Sequence, residues 1–503
     1  MASALFQRSA GILLHPTSLP GPFGIGDLGS AATDWVDTLA GAKQSWWQIL
    51  PLGPTGFGDS PYQCFSAFAG NPYLVSPRLL VEDGLLDTSD LDSASFPASH
   101  VDYGPVILWK NRLLSLAWDR FQSGRGAGLK SDFDRFAQTE DAWLSDYALF
   151  MAVKDTQQSR SWQEWPEHAR LRQPDWLKRA QKELAKAIGL HQFRQYLFFR
   201  QWGKLKKYAN DRGIKIIGDI PIFVSSDSSD VWANPEWFVL DKARRPTVVA
   251  GVPPDYFSAT GQLWGNPHYD WPALEKSGFA WWVARFRATL KLVDVLRLDH
   301  FRGFEAYWEI PAGAPNAIKG RWVKAPGEAM LQTVQSALGG LPIIAEDLGV
   351  ITPEVDAMRK TFGLPGMRIL QFAFGGAGEN RFLPHNYDNN TVVYTGTHDN
   401  DTTWGWYRTA NESERDHFRR YAARDGTDVA WDLIRMAWSS VADCAIAPLQ
   451  DILNLGAEGR MNFPGKPQGN WAWRFQASQV NPWILSRLGE LTEMYGRSRI
   501  EKE

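Results

Sequence analysis

Residues 293–304 read VDVLRLDHFRGF, and the fold turns on them. Val295–Leu298 is a short apolar run broken by one arginine, as in a strand covered on both faces. Side chains alternate along a strand, so Arg297 and Asp299 share a face while Leu296 and Leu298 point the other way. Residues 341–349 (LPIIAEDLG) and 391–401 (TVVYTGTHDND) repeat the pattern, delivering Glu346 and Asp399 just after apolar runs. In a barrel of parallel strands such residues meet at the C-terminal face, where active sites are built.

Working outward, eight such runs recur: Gly11–Leu14, Trp46–Leu50, Lys215–Gly218, Asp294–Leu298, Pro342–Ala345, Met367–Gln371, Thr391–Thr395 and Val441–Ala447. Most are separated by helical patterns, the alternation of a parallel sheet. Eight units close most naturally into a (β/α)8 TIM barrel, with a doubly wound open sheet as the alternative. Between Leu50 and Lys215 lies far more chain than one helix needs. Residues 85–185 read as a mostly helical insertion subdomain. The run HQFRQYLFFRQWGKLKKYANDRG, ending at Gly213, reads as the barrel helix returning to the third strand. Residues 243–271, dense in Gly, Pro and aromatics, read as a lid-like loop over the site. The whole of 1–503 is expected to be a single catalytic barrel, with no C-terminal β-sandwich domain after Arg474.

Composition narrows the partners. A net charge of −3 argues against nucleic acid or an anionic membrane surface. Two cysteines, Cys64 and Cys444, support no disulfide framework and suit a reducing compartment. The N-terminal apolar run is too short for a signal segment and no later run spans a membrane, so a cytoplasmic protein is expected. The outlier is aromatic content: 25 Trp, 27 Phe and 14 Tyr. Most belong in a core, but several sit in Gly/Pro-rich loops. Pyranose C–H faces pack on aromatic rings while hydroxyls seek Asp, Asn, Arg and His, so the combination suits a carbohydrate.

Each motif has a chemical reading beside a plainer one. Arg297 beside Asp299 favours an ionised carboxylate, a competent nucleophile at an anomeric carbon; a structural pair closing the barrel is the alternative. Glu346, behind four apolar residues, is expected to be desolvated toward a general acid, giving with Asp299 the two-carboxylate arrangement of glycoside chemistry. Asp347 reads better as a cap of the following segment. Asp399 with His398 can grip sugar hydroxyls; a divalent-metal site at Asp399 and Asp401 is the rival, without the glycine-centred spacing of a calcium loop. The glycines of FGIGDLG (23–29) match a dinucleotide fingerprint only in spacing, with no strand directly before and no acid near position 49, and read as a tight loop.

Together LRLDHFRGF, IIAEDLG and YTGTHDND resemble the catalytic-strand motifs of the α-amylase clan, in spellings similar to the 4-α-glucanotransferase (amylomaltase, disproportionating enzyme) family. Supporting matches run from GILLHPTSLPGPFGIGDLG through QILPLGPTGFGDSPYQ, GDIPIFVSSDSSDVW and GVPPDYFSATGQLWGNPHYDW to RMNFPGKPQGNWAWRF; residues 85–185 match least. The resemblance implies that Asp299 is the nucleophile, Glu346 the general acid/base and Asp399 the transition-state stabiliser. It implies substrate contacts from Arg297, His398 and Asp219, and a glucan channel flanked by Tyr62, Asp255, Tyr256 and Trp264. Asn462, Trp471 and Trp473 fall in a family signature whose role is not separable from packing. Gly375 and Gly376 carry no subsite role, lacking side chains. The activity implied is retaining transfer of α-1,4-glucan segments among maltooligosaccharides, by a monomer or homodimer without metal or organic cofactor. An amylase-type hydrolase, a glucan-binding protein with a degenerate site and a metal-dependent barrel hydrolase are the alternatives.

Overall fold

The computed structural model describes residues 5–92, 95–254, 258–466 and 468–498. Among these residues twelve strands form in chain order: β1 (Ser9–Leu13), β2 (Trp46–Gln48), β3 (Lys215–Ile220), β4 (Val248–Val252), β5 (Gln262–Pro267), β6 (Val295–Leu298), β7 (Ala306–Pro311), β8 (Arg321–Lys324), β9 (Ile343–Ala345), β10 (Gly366–Ile369), β11 (Thr391–Tyr394) and β12 (Cys444–Pro448). Eight of them close a barrel in the order β1-β12-β11-β10-β9-β6-β3-β2, with parallel pairing throughout. Each barrel strand lies on one of the eight apolar runs. The interior is filled by Leu13, Trp46, Leu50, Ile217, Val295, Ile344, Met367, Val392, Tyr394 and Ile446, all buried, so the barrel is a packed core and not a pore.

Between β2 and β3 the chain forms helices Tyr103–Gln122, Lys130–Thr139, Asp141–Thr156 and Pro174–Glu183 before the long helix Ala185–Asp211. Their contacts absorb much of the aromatic content: Phe121 and Phe193 stack 4.7 Å apart beneath Trp118 and Phe133. The long helix ends where Gly213 adopts a left-handed φ of 78°. That turn lets the Ile214 N–H reach the Ala209 carbonyl at 2.9 Å and feeds β3 directly.

One feature departs from the loop expected over 243–271. That stretch contributes β4 and β5, which join β7 and β8 in a four-stranded antiparallel sheet, order β5-β4-β7-β8. Gln262–Pro267 and the four-residue Arg321–Lys324 are short edge strands carrying Gly, Pro or charge, features that mask strand periodicity. Among the described residues no helix is long and apolar enough to cross a membrane.

Candidate active site

The parallel ladder aligns the carboxylates before any side chain acts. Leu298 of β6 registers with Ala345 of β9, so Asp299 and Glu346 follow at matching heights on neighbouring strands. Backbone bonds extend the ladder one residue further: Asp299 N–H donates to Ile220 O at 3.0 Å and Glu346 N–H to Leu298 O at 3.1 Å. Asp219 on β3 registers with Arg297 on β6.

Arg297 bridges the first two acids. Its Nη1 donates to Asp219 Oδ2 at 2.7 Å and its Nη2 lies 3.0 Å from Asp299 Oδ1. The Asp219 side chain is fully buried, whereas that of Asp299 is 27% exposed. Burial raises the Asp219 pKa, with the Arg297 charge opposing. Tyr62, from the loop after β2, donates its hydroxyl to the same Asp219 Oδ2 at 2.7 Å. That hydroxyl also lies 2.8 Å from His398 Nε2. A phenol has one proton, so with it given to Asp219 the imidazole Nε2–H becomes the donor in the second bond. The two rings stack at 5.2 Å.

Glu346 sits in a different environment. Its side chain is almost wholly buried, and two backbone amides hold it: His300 N–H on Oε2 at 2.8 Å and Leu348 N–H on Oε1 at 3.0 Å. His300 aims its amide there because its backbone is left-handed, φ 49°. Burial raises the Glu346 pKa to about 8, assisted by the Asp299 charge and opposed by Arg297. Burial thus favours the protonated form of this carboxyl. The burial of Glu346 expected from the apolar run is present in the structure.

Asp399, after β11, is half-exposed and fixed from the far end of the chain. Asn462 Nδ2 donates to its Oδ1 at 2.6 Å, Arg460 Nη2 donates to its backbone carbonyl at 2.9 Å, and His398 Nε2 lies 3.4 Å from Oδ2. Trp471 places its ring 5.7 Å from Tyr62 and 6.0 Å from His398, with a left-handed φ of 63° that a non-glycine residue adopts only at a cost. Asn462 and Trp471 thus touch site residues. Trp473 packs instead on Phe475. Asp401 accepts from Thr402 N–H at 2.8 Å.

Trp264 of β5 stands edge-on over the His300 ring at 5.0 Å, at the Glu346 side of the site. Asp255 and Tyr256 lie outside the described residues. Asp347 does not cap the following segment, contrary to its sequence reading: its carboxylate accepts from Met367 N–H of β10 at 2.7 Å and faces three arginines. His15, at the end of β1, lines a cavity with His398, Asp401 and Arg460; burial, then the neighbouring His398, lowers its pKa to about 3. Sequence reading missed it, although GILLHPTS sets it directly beyond a barrel strand.

A barrel rim that pairs a solvent-reachable, arginine-held aspartate with a buried glutamate is an arrangement suited to glycoside chemistry. The family is equally specific: the model described as 4-alpha-glucanotransferase matches residues 14–479. The 4-alpha-glucanotransferase of Thermus thermophilus is 53% identical over 494 residues, covering 97% of this chain and 98% of that protein. Its counterpart from Synechocystis sp. is 52% identical over 500 residues, covering 98% and 99%. The structure of the Streptococcus agalactiae amylomaltase in complex with acarbose superposes with a TM-score of 0.95 at 40% identity, covering 98% of this chain and 100% of that one. The chain belongs to the 4-alpha-glucanotransferase family.

Proposed function

We propose that this protein is a retaining 4-α-glucanotransferase acting on α-1,4-glucans and maltooligosaccharides, with Asp299, Glu346 and Asp399 as its catalytic residues. The observation that carries the reading is the contrast between two neighbouring carboxyls: Asp299 partly exposed and paired to Arg297, Glu346 buried with its pKa raised. Arg297 holds Asp299 Oδ1, which leaves Oδ2 to attack the anomeric carbon. As that bond forms, Glu346 gives its proton to the departing O4, and the shortened glucan leaves. The donor fragment remains as an ester of Asp299. Glu346, now a carboxylate, takes the proton of an incoming 4-hydroxyl, whose oxygen displaces Asp299. Two inversions give retention, a course that places the carboxyls about 5–5.5 Å apart. Asp399 and His398, held by Asn462 and Tyr62, grip the sugar hydroxyls at the reacting ring; Asp219 fixes Arg297 and Tyr62 from below. Tyr62 and Trp264 flank the glucan channel.

Transfer requires a sugar hydroxyl to outcompete water at roughly 55 M. Residues 243–271 form the lid that excludes water and docks the acceptor, within a single catalytic unit of residues 1–503 carrying a helical insertion at 85–185. The enzyme works in the cytoplasm as a monomer or homodimer, without metal or organic cofactor. Asp299→Asn tests the assignment: it is expected to fold with an unchanged Tm and to lose turnover, and substantial residual activity would sink it.

A further inference from the structure

Directly after Glu346 the chain buries a second acid. Asp347 is 1% exposed and faces arginines from three elements. Its Oδ2 accepts from Arg381 Nη2 at 2.6 Å and Arg368 Nη1 at 3.2 Å, and lies 3.7 Å from Arg359 Nε. Arg359 comes from helix Pro353–Thr361, Arg368 from β10, and Arg381 from the loop after it. The strand makes room for this carboxylate: a Cβ at Gly366 would lie 2.7 Å from Asp347 Oδ2. Arg359 has a second partner in Asp356, at 2.9 Å. Three guanidiniums thus face two carboxylates, Asp347 and Asp356, so the cluster carries more positive charge than its acids cancel.

That surplus sits one residue from the group assigned as acid/base. The charges facing Glu346 are Arg297 and Asp299 from the β6 end and Asp347 from its own strand. Burial keeps the His300 imidazole neutral, with the Arg302 charge also lowering its pKa, to about 4. Arg359, Arg368 and Arg381 stand behind Asp347. Without Asp347, three guanidiniums would favour ionised Glu346 before the leaving group departs.

We propose that Asp347 is a positioning residue for the acid/base. Its negative charge offsets Arg359, Arg368 and Arg381 and so keeps the Glu346 proton available for the first step, an inference that rests on the assignment of Glu346 as acid/base. The geometry supplies two variants of opposite sign. Asp347→Asn is nearly isosteric and removes a negative charge. Arg381→Gln removes a positive charge from a partly exposed side chain.

The test is the pH profile of kcat/KM for maltotriose disproportionation, whose alkaline limb reports loss of the Glu346 proton. A unit charge about 8 Å away at an effective dielectric near 20 moves a pKa by about one and a half units, and roughly half that where solvent screens it. Asp347→Asn is expected to bring the alkaline limb down by about one and a half pH units, and Arg381→Gln to carry it up by about three quarters of a unit. Arg381→Lys, which keeps the charge, should leave it in place. Limbs that stay put in both charge variants, or move the same way, overturn the proposal. If Asp347→Asn does not fold, the Arg381→Gln and Arg381→Lys pair decides alone. Glu346→Gln separates the two failures: if it is inactive while the limbs are immobile, only the Asp347 inference falls, whereas if it remains active the acid/base assignment falls.

Discussion

Asn462→Ala probes the hold on Asp399. Asn462 Nδ2 donates to Asp399 Oδ1 at 2.6 Å, while His398 is more distant at 3.4 Å. A hydrogen bond to a charged group contributes about 1.5–3 kcal/mol, and about 1.4 kcal/mol corresponds to a factor of 10 in rate. Because the carboxylate is half-exposed, water replaces the lost donor in the free enzyme. The loss therefore falls on the transition state, where orientation counts. The expectation is a fall in kcat of roughly 10- to 100-fold with a small change in KM. Asn462→Asp sharpens the case, since two carboxylates at that separation cannot both ionise. It should lose more than the alanine variant at neutral pH and raise the acid limb of the profile. Steady-state kinetics on maltotriose, with a melting curve to verify the fold, reads both. An alanine variant with wild-type kcat would refute the role assigned to this bond.

Further outcomes follow from the same contacts. Arg297→Met leaves Asp219 fully buried without its cation and should cost about 3–5 kcal/mol in chemical denaturation; a loss below about 1 kcal/mol would contradict the bridge. His268 is buried between Phe223 and Tyr307, and burial lowers its pKa to about 4. The unfolded chain therefore takes up its proton first as pH falls below about 6.5. Wild type should lose stability relative to His268→Phe by about 1.4 kcal/mol per pH unit between about 6.5 and 4, and parallel stability curves would exclude this. Shortening the connection between β4 and β5 should raise the fraction of hydrolysis, read as new reducing ends per transfer event; an unchanged ratio removes the lid role.

The barrel was legible because parallel strands covered on both faces read as unbroken apolar runs, as Ile343–Ala345 and Thr391–Tyr394 do. The antiparallel sheet was not: QLWGNP and RWVK have neither apolar continuity nor clean alternation, and their pairing is set by contacts across the insertions. The three carboxylates could be found because each follows its strand by one or a few residues. Asn462 could not be placed, since it reaches Asp399 across 63 residues of sequence through a segment whose described residues between Arg460 and Arg474 form no regular strand or helix. The cap reading of Asp347 failed for a related reason. Its partners Met367, Arg368 and Arg381 come from β10 and the loop beyond, where local spacing carries no signal.

The most direct test of transfer is an incubation with maltotriose alone, resolving products by size while counting reducing ends. Glucose together with a ladder of longer maltodextrins, at a constant number of reducing ends, is the predicted result. Reducing ends that rise while only shorter products form would make this chain a hydrolase and contradict the acceptor chemistry assigned to its site.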